Sequence, residues 1–188
     1  MDAIQALLSR RSIRKYTDKQ IEKQDLLSII QAGIHAPNGL NRQAVHITAL
    51  HSAQKIAALE QHILHIAQNL PDEEETAALK QGILENHFHL CYGAPTFIIV
   101  SASSQSIAPE MDCAVCMENM LIAATALGIS SCFINTLFRL VPTPTIQSIM
   151  EHFGVPKGNV IHCAAGFGYG AEQPAPHSKR QGAFTIVE

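Results

Sequence analysis

Residues 95–101, PTFIIVS, leave the chain little choice of architecture. A short β-branched and aromatic run without polar interruption suits a strand buried on both faces, not one with a side in water. Such a strand needs covering layers, and the long helical pattern over residues 109–127 supplies one. Similar elements alternate along the rest of the chain. Ile4, Leu7 and Leu8 have helical spacing, and that run breaks at Arg10-Arg11-Ser12-Ile13-Arg14. A second helix is expected from about Glu22 to Ala36, with Leu26, Leu27, Ile30 and Ile34 on one face. Ala36-Pro37-Asn38-Gly39 ends it, because Pro restricts the residue before it and Gly tolerates positive φ. Val45–Leu50 reads as a strand, followed by a helix capped by Ser52. Residues 71–80 are acidic and polar, as in a solvated helix or hinge. Gly128 closes the long helix from a C′ position, and Thr143 with Pro144 opens another that ends near Phe153-Gly154. Residues 131–134 and 160–167 read as further strands.

No internal repeat or low-complexity segment interrupts this order, so residues 1–188 are expected to form one domain of α+β or α/β type, a central sheet flanked by helices. Residues 170–188 form a polar, Pro-containing tail with too few apolar residues for a core. Its end, Phe184-Thr185-Ile186-Val187, is β-prone and suits docking as an added strand.

An apolar content of 47% with 15% charged residues fits a packed globule. The net charge of -3 gives no general electrostatic reason to bind nucleic acid or an anionic membrane. Apolar stretches such as residues 120–129 fall far short of the roughly 20 residues that span a bilayer. The N-terminus, MDAIQALLSRRS, puts an acid before its apolar patch, the reverse of a signal peptide, and cytoplasmic residence is expected. Five cysteines, an odd number spread along the chain, do not suggest a disulfide framework. They read as small buried hydrophobes kept reduced.

Four segments carry possible chemistry. Arg10, Arg11 and Arg14, with Ser12 among them, offer planar guanidinium forks and a hydroxyl to phosphate oxygens. By itself such a cluster is more often a solvated helix end. Residues 36–43, APNGLNRQ, form an amide-rich loop whose donors and acceptors suit the edge of a heteroaromatic ring, though alone it reads as an ordinary turn. Leu127 to Asn135 runs from a helix end into a buried strand. Lys179-Arg180 is a charge pair in the tail. Other patterns are weaker. Cys113-x-x-Cys116 lies inside a helix with no second pair and reads as core. His62-x-x-His65 with His87 and His89 lacks an acidic partner for a metal. Gly166-Phe167-Gly168-Tyr169-Gly170 has no following helix, so it is not a dinucleotide-binding loop.

Taken together, in order and spacing, these segments resemble the nitroreductase-like flavoproteins. RRSIRKY, Arg10 to Tyr16, fits that family's Arg-[Arg/His]-Ser-x-[Arg/Lys]-x-[Phe/Tyr] motif throughout. APNGLNRQAV keeps Pro37, Asn41 and Gln43 of a second motif, Ala-Pro-Ser-x-x-Asn-x-Gln-Pro-Trp. It departs from that motif at Asn38, where Ser is usual, and at Ala44-Val45 in place of Pro-Trp. Tyr92-Gly93-Ala94-Pro95, MDCAVCMENMLIAATALGISSCFI and Gly168-Tyr169-Gly170 followed by Lys179-Arg180 complete the likeness over nearly the whole chain.

The resemblance implies an α+β fold with a central, mostly antiparallel sheet flanked by helices, a C-terminal arm (about 170–188) extending to the partner subunit, and an obligate homodimer. It implies FMN as cofactor and NADH or NADPH as electron donor, with a nitro compound or quinone reduced after hydride reaches flavin N5. Arg10, Arg11 and Ser12 would serve the FMN phosphate with Lys179 and Arg180, and Arg14 the pyrimidine side of the flavin. Pro37, Asn38, Gly39 and Asn41 would reach the other subunit's isoalloxazine, with backbone of Asn135 and Thr136 near N5. No side chain is implied as catalytic, because the flavin carries the chemistry. Residues 109–127, apolar on more than one face, could form the centre of the subunit interface or simply one subunit's core. A flavin carrier or sensor, a flavin enzyme of dehalogenation or cleavage, and a Cys/His metalloprotein stay open as other readings.

Overall fold

The computed structural model describes residues 1–70, 74–84, 89–134, 144–174 and 182–187. All four expected strands are present, and they hydrogen-bond antiparallel in the order β1 (Val45–Leu50), β2 (Thr96–Ser103), β4 (Asn159–Gly168), β3 (Ser130–Phe133). This is the antiparallel sheet the resemblance implied. β2 lies inside the sheet, and its side chains alternate between two cores. Phe97 and Ile99 face one cluster, which holds Ile56, Leu59 and Ile63 of helix α3 (Ala53–Gln68), Ile83 of α4 (Glu74–Leu84) and Met150 of α6 (Pro144–His152). Ile98, Val100 and Ala102 face the other, built from α2 (Lys23–Ile34) and α5 (Pro109–Ala126). A central strand buried on both faces explains the uninterrupted apolar run.

The helix ends follow local chemistry. Ser52 Oγ accepts from Lys55 N–H at 3.4 Å at the start of α3, as an N-cap should. At the end of α5, Gly128 takes φ 74°. Its N–H donates to Thr125 O at 3.0 Å, and Ile129 N–H donates to Ala124 O at 2.8 Å. This is a Schellman closure. Thr143 and part of the acidic stretch 71–80 lie outside the described residues.

One expected helix face is corrected, and one expected helix forms with its apolar row outward. On α2 the buried row is Leu26, Ile29 and Gly33, whereas Leu27 and Ile34 are 51% and 59% exposed. The reason is Gly33, where a Cβ would sit 2.7 Å from Met120 Cγ. The bare backbone lets α2 rest on α5, and hydropathy cannot register that contact. On α1 (Ala3–Ser9) only Ala6 is buried, and Ile4, Leu7 and Leu8 face outward. α5 does bury Cys113, Cys116, Met117, Met120, Leu121 and Ala124 in this chain's own core, while Met111 and Val115 stay exposed. The described end of the tail, residues 182–187, forms no strand on this chain.

The glycine-rich run of β4 is a packing device. A Cβ on Gly166 would meet Ala94 and Cys91 at 3.0–3.1 Å, one on Gly168 would meet the Pro95 ring at 2.6 Å and Tyr16 at 3.0 Å, and one on Gly170 would meet Ser130 Oγ at 2.8 Å. The bareness of Gly168 and Gly170 lets residues 12–17 lie between β3 and the chain beyond β4. Ile13 N–H donates to Ser131 O (3.0 Å), Thr17 N–H to Tyr169 O (2.9 Å) and Ala171 N–H to Lys15 O (2.8 Å). Further along, buried Thr96 donates its hydroxyl to Gln20 Oε1 at 2.8 Å. It must therefore accept from His51 Nδ1–H, also at 2.8 Å, which fixes that tautomer. We predict that Gly168→Ala lowers the unfolding free energy by about 1–3 kcal/mol, because the proline ring it would strike is rigid. Chemical denaturation checks this, and a parental midpoint would show that the close approach is not needed.

Candidate functional site

Ser12 forms a parallel bridge with Ser131 of β3, and Tyr16 an antiparallel bridge with Gly170. The segment between them therefore presents the basic motif across one end of the sheet. Arg10 caps the C-terminus of α1 through its own N–H to Ala6 O at 3.0 Å. Arg10, Arg11 and Ser12 are half-buried and Arg14 is exposed. Arg14, Ser12 and Arg10 all face the buried Cys132 thiol of β3: burial pushes its pKa up, and these three pull it back. Arg14 is further placed by its neighbours. Its N–H donates to Glu172 Oε1 at 2.6 Å. Its guanidinium lies 5.7 Å from the Tyr92 ring centroid, within cation–π reach. Tyr92 first, then Cys132, hold the Arg14 pKa above its ordinary value against the effect of burial. Tyr92 itself takes φ 58°, an uncommon conformation for a side chain of that size.

Two buried polar atoms next to this segment, Tyr16 Oη and Ser131 Oγ, have no hydrogen-bond partner among the described residues. Burial is the main cause that drives the Tyr16 phenol far above its usual range, so it stays neutral.

The second predicted group lies elsewhere. Residues 36–43 leave α2 and reach β1 beside the first turn of α5. Gly39 N–H donates to both oxygens of the buried Asp112 carboxylate, at 3.0 and 3.2 Å. Asn38 Oδ1 accepts from Gln43 N–H at 2.8 Å and closes the loop. Leu40, Asn41 and Gln43 hold φ of 51°, 52° and 53°. Left-handed residues other than glycine are uncommon, and three in so short a loop mark strain. Pro37, Asn38, Gln43, Val45, Asp112 and Cys116 are among the residues lining a recess of about 240 Å³ there.

Strand register separates the two groups. Val45 pairs with Ala102 at the C-terminal end of β2, whereas Thr96 at its other end pairs with Phe167, the partner of Ser131. β1 and β3 are also the two edges of the sheet. The loop therefore sits by the start of α5 and the arginine cluster by its end. The helix has 18 residues and so spans about 27 Å at the usual rise. Asn135, Thr136, Lys179 and Arg180 lie outside the described residues.

Sequence reasoning assigned no role to Asp112, Tyr92, Glu172 or Cys132. Tyr92 was visible only as part of Tyr92-Gly93-Ala94-Pro95, and Asp112 only as an acid in a first helical turn, where the macrodipole favours one anyway. Among the described residues no group of His, Cys, Asp or Glu is arranged to hold a metal, and no helix is long and apolar enough to cross a membrane.

An antiparallel sheet covered by helices on both faces, with a guanidinium-and-hydroxyl cluster at one end and a braced amide loop at the other, defines an α+β domain with a basic pole. Residues 7–169 match the Nitroreductase family, and the chain belongs to it. An Archaeoglobus fulgidus relative with the provisional name NADH dehydrogenase/NAD(P)H nitroreductase is 25% identical over 173 residues, 89% of this chain and 85% of its own. The crystal structure of a Bacteroides fragilis nitroreductase with bound FMN superposes with a TM-score of 0.89 at 31% identity, covering 100% of both chains. A Desulfitobacterium hafniense nitroreductase with bound FMN gives 0.82 at 25% identity, again over 100% of both.

All five cysteines are buried and free. Burial raises Cys116 from 9.0 to about 11, and Cys91 and Cys163 from 9.0 to about 12. Unfolded thiols ionise first, so above about pH 9 the unfolded state loses protons that the folded state keeps. The stability these neutral thiols contribute is full below about pH 9 and falls as pH rises toward about 12. We predict that Cys116→Ala flattens the downward slope of unfolding free energy between about pH 9 and about 11. A slope identical to that of the parent would contradict the buried, protonated state of this thiol.

Proposed function

We propose that this chain is an FMN-dependent NAD(P)H oxidoreductase that reduces nitro compounds, quinones or similar small acceptors, and that it works as a homodimer. The observation that carries the reading is the convergence of Arg10, Ser12 and Arg14 beside β3. Guanidinium forks and a hydroxyl are the donor set that a phosphate monoester requires, and each charge-assisted bond is worth about 1.5–3 kcal/mol. The unpartnered Tyr16 and Ser131 oxygens fit the same conclusion, because buried polar atoms next to a cluster of donors are expected where a polar ligand completes the site. When bound, FMN supplies a ring that accepts hydride from NADH or NADPH and releases it to the acceptor.

The protein's part is binding and electrostatics. Arg10, Arg11 and Ser12 hold the phosphate together with Lys179 and Arg180 of the tail. Arg14, tied by its backbone to Glu172 and lying against Tyr92, keeps a positive charge beside the pyrimidine edge, where it favours the reduced, more negative ring. Pro37, Asn38, Gly39 and Asn41 approach the ring from a second subunit, and the backbone at Asn135 and Thr136 borders its reactive centre. A second subunit is called for because one chain holds the two groups at opposite ends of α5. The outward apolar side chains of α1, with Met111 and Val115 of α5, supply surface for it to cover. Phe184 and Val187 are 85% and 91% exposed on this chain, which suits residues 170–188 as an arm laid on the partner. Residues 1–188 are then one domain plus this arm, resident in the cytoplasm, without nucleic-acid or membrane partners.

Anaerobic addition of NADH or NADPH to the FMN-loaded protein is expected to bleach its yellow colour. Colour that persists for hours with both nucleotides removes the reductase reading and leaves a flavin carrier. Arg10→Ala is expected to weaken FMN by about 10- to 150-fold in a fluorescence titration. Parental affinity in both Arg10→Ala and Arg14→Ala would show that the phosphate and ring sites are misplaced.

A further inference from the structure

The loop assigned above to the partner's flavin is strained. Leu40, Asn41 and Gln43 occupy the left-handed region, where side chains other than glycine, and to a lesser degree Asn, are disfavoured. Such a conformation persists only when its surroundings over-determine it. Contacts of two kinds do so. One kind is internal: Asn38 Oδ1 accepts from Gln43 N–H at 2.8 Å, and Asn41 N–H and Arg42 N–H donate to Asn38 O and Gly39 O, each at 3.1 Å. The other comes from a different element: the Asp112 carboxylate, buried in the first turn of α5, takes the Gly39 N–H on both oxygens at 3.0 and 3.2 Å. The Gly39 backbone lies beside the approach to α5, where an added Cβ would make ordinary contact with Ile107 at 3.4 Å and Asp112 Oδ2 at 3.6 Å.

We propose that Asp112 is a positioning residue for flavin chemistry: it anchors the strained loop 37–43 to α5 so that Asn38 and Asn41 are presented in fixed orientation to the FMN of the partner subunit. This rests on the proposed function above. Asp112 does not touch the cofactor; it acts through Gly39. A carboxylate is suited to the task because it offers two acceptors to one donor and carries a charge that strengthens the bond. α5 is suited because it is seated in the core through Cys113, Cys116 and Met117, so the anchor point does not move with the loop.

The test compares the parent, Asp112→Ala and Asp112→Asn as full-length dimers. FMN affinity is read by fluorescence titration, kcat and KM by anaerobic NADH oxidation, and fold by thermal unfolding. Asp112→Ala is expected to weaken FMN by about tenfold, the size of one charge-assisted hydrogen bond, and to lower kcat. Asp112→Asn keeps the volume and one carbonyl acceptor but loses the charge, and is expected to weaken FMN by about threefold, less than Asp112→Ala, with the parent's unfolding midpoint. Hydrogen exchange at the Gly39 amide should quicken in Asp112→Ala while amides in the middle of α5 do not change. If Asp112→Ala fails to fold, Asp112→Asn carries the test, and a weakening of FMN by about threefold or more with an unchanged midpoint supports the role. Parental FMN affinity, kcat and KM in every variant that folds overturn the inference while leaving the flavin reading intact. A parent that takes up no FMN overturns both.

Discussion

The architecture depends on a lacing of the chain through its own sheet. Residues 12–17 enter between the edge strand β3 and the stretch that continues β4, and they hydrogen-bond to both sides. That passage is open because Gly168 and Gly170 are bare: a Cβ on the first would meet Tyr16 Cδ1 at 3.0 Å, and one on the second Ile13 Cγ2 at 3.2 Å. Arg14 takes its position from this arrangement, and Arg10 from its place at the end of α1. Ile13, between Ser12 and Arg14, is buried and fixes the rotation of the segment, which brings Ser12 and Arg14 beside Cys132 at the sheet end. A glycine run that in another context would suggest nucleotide binding here works through the side chains it lacks.

The same topology decides what a single chain cannot do. An antiparallel order with β1 and β3 at opposite edges sends the amide loop and the arginine cluster to opposite ends of α5. Meanwhile α5 buries one face on the strands and offers Met111 and Val115 outward, and α1 buries only Ala6. The homodimer proposed above would answer both the separation of the two groups and the uncovered apolar side chains, because a two-fold axis can carry the start of one α5 toward the end of the other. Such interfaces, when obligate, bury on the order of 2,000–5,000 Å².

What could be read from the sequence divides along physical lines. Strands were legible because burial on both faces writes itself as unbroken apolar runs, and helix ends because caps such as Ser52 and Gly128 are chemically specific. The RRSIRKY motif was legible because its spacing is distinctive. Faces of helices were less so: α2 packs through Gly33, which has no hydropathy to count, and α1 leaves Ile4, Leu7 and Leu8 outside. Asp112 was hidden for a different reason. Its importance comes from a backbone donor 73 residues away in sequence, and nothing in the local pattern predicts such a meeting. The likeness to nitroreductases supplied roles for Asn38 and Asn41, but only the structure reveals that the loop carrying them is strained and braced.

The most direct measurement is the absorption spectrum of the freshly purified protein, with any flavin released by acid and identified. The account predicts a yellow protein carrying FMN in about one copy per chain and migrating as a dimer. A colourless monomer that takes up no added FMN would contradict it.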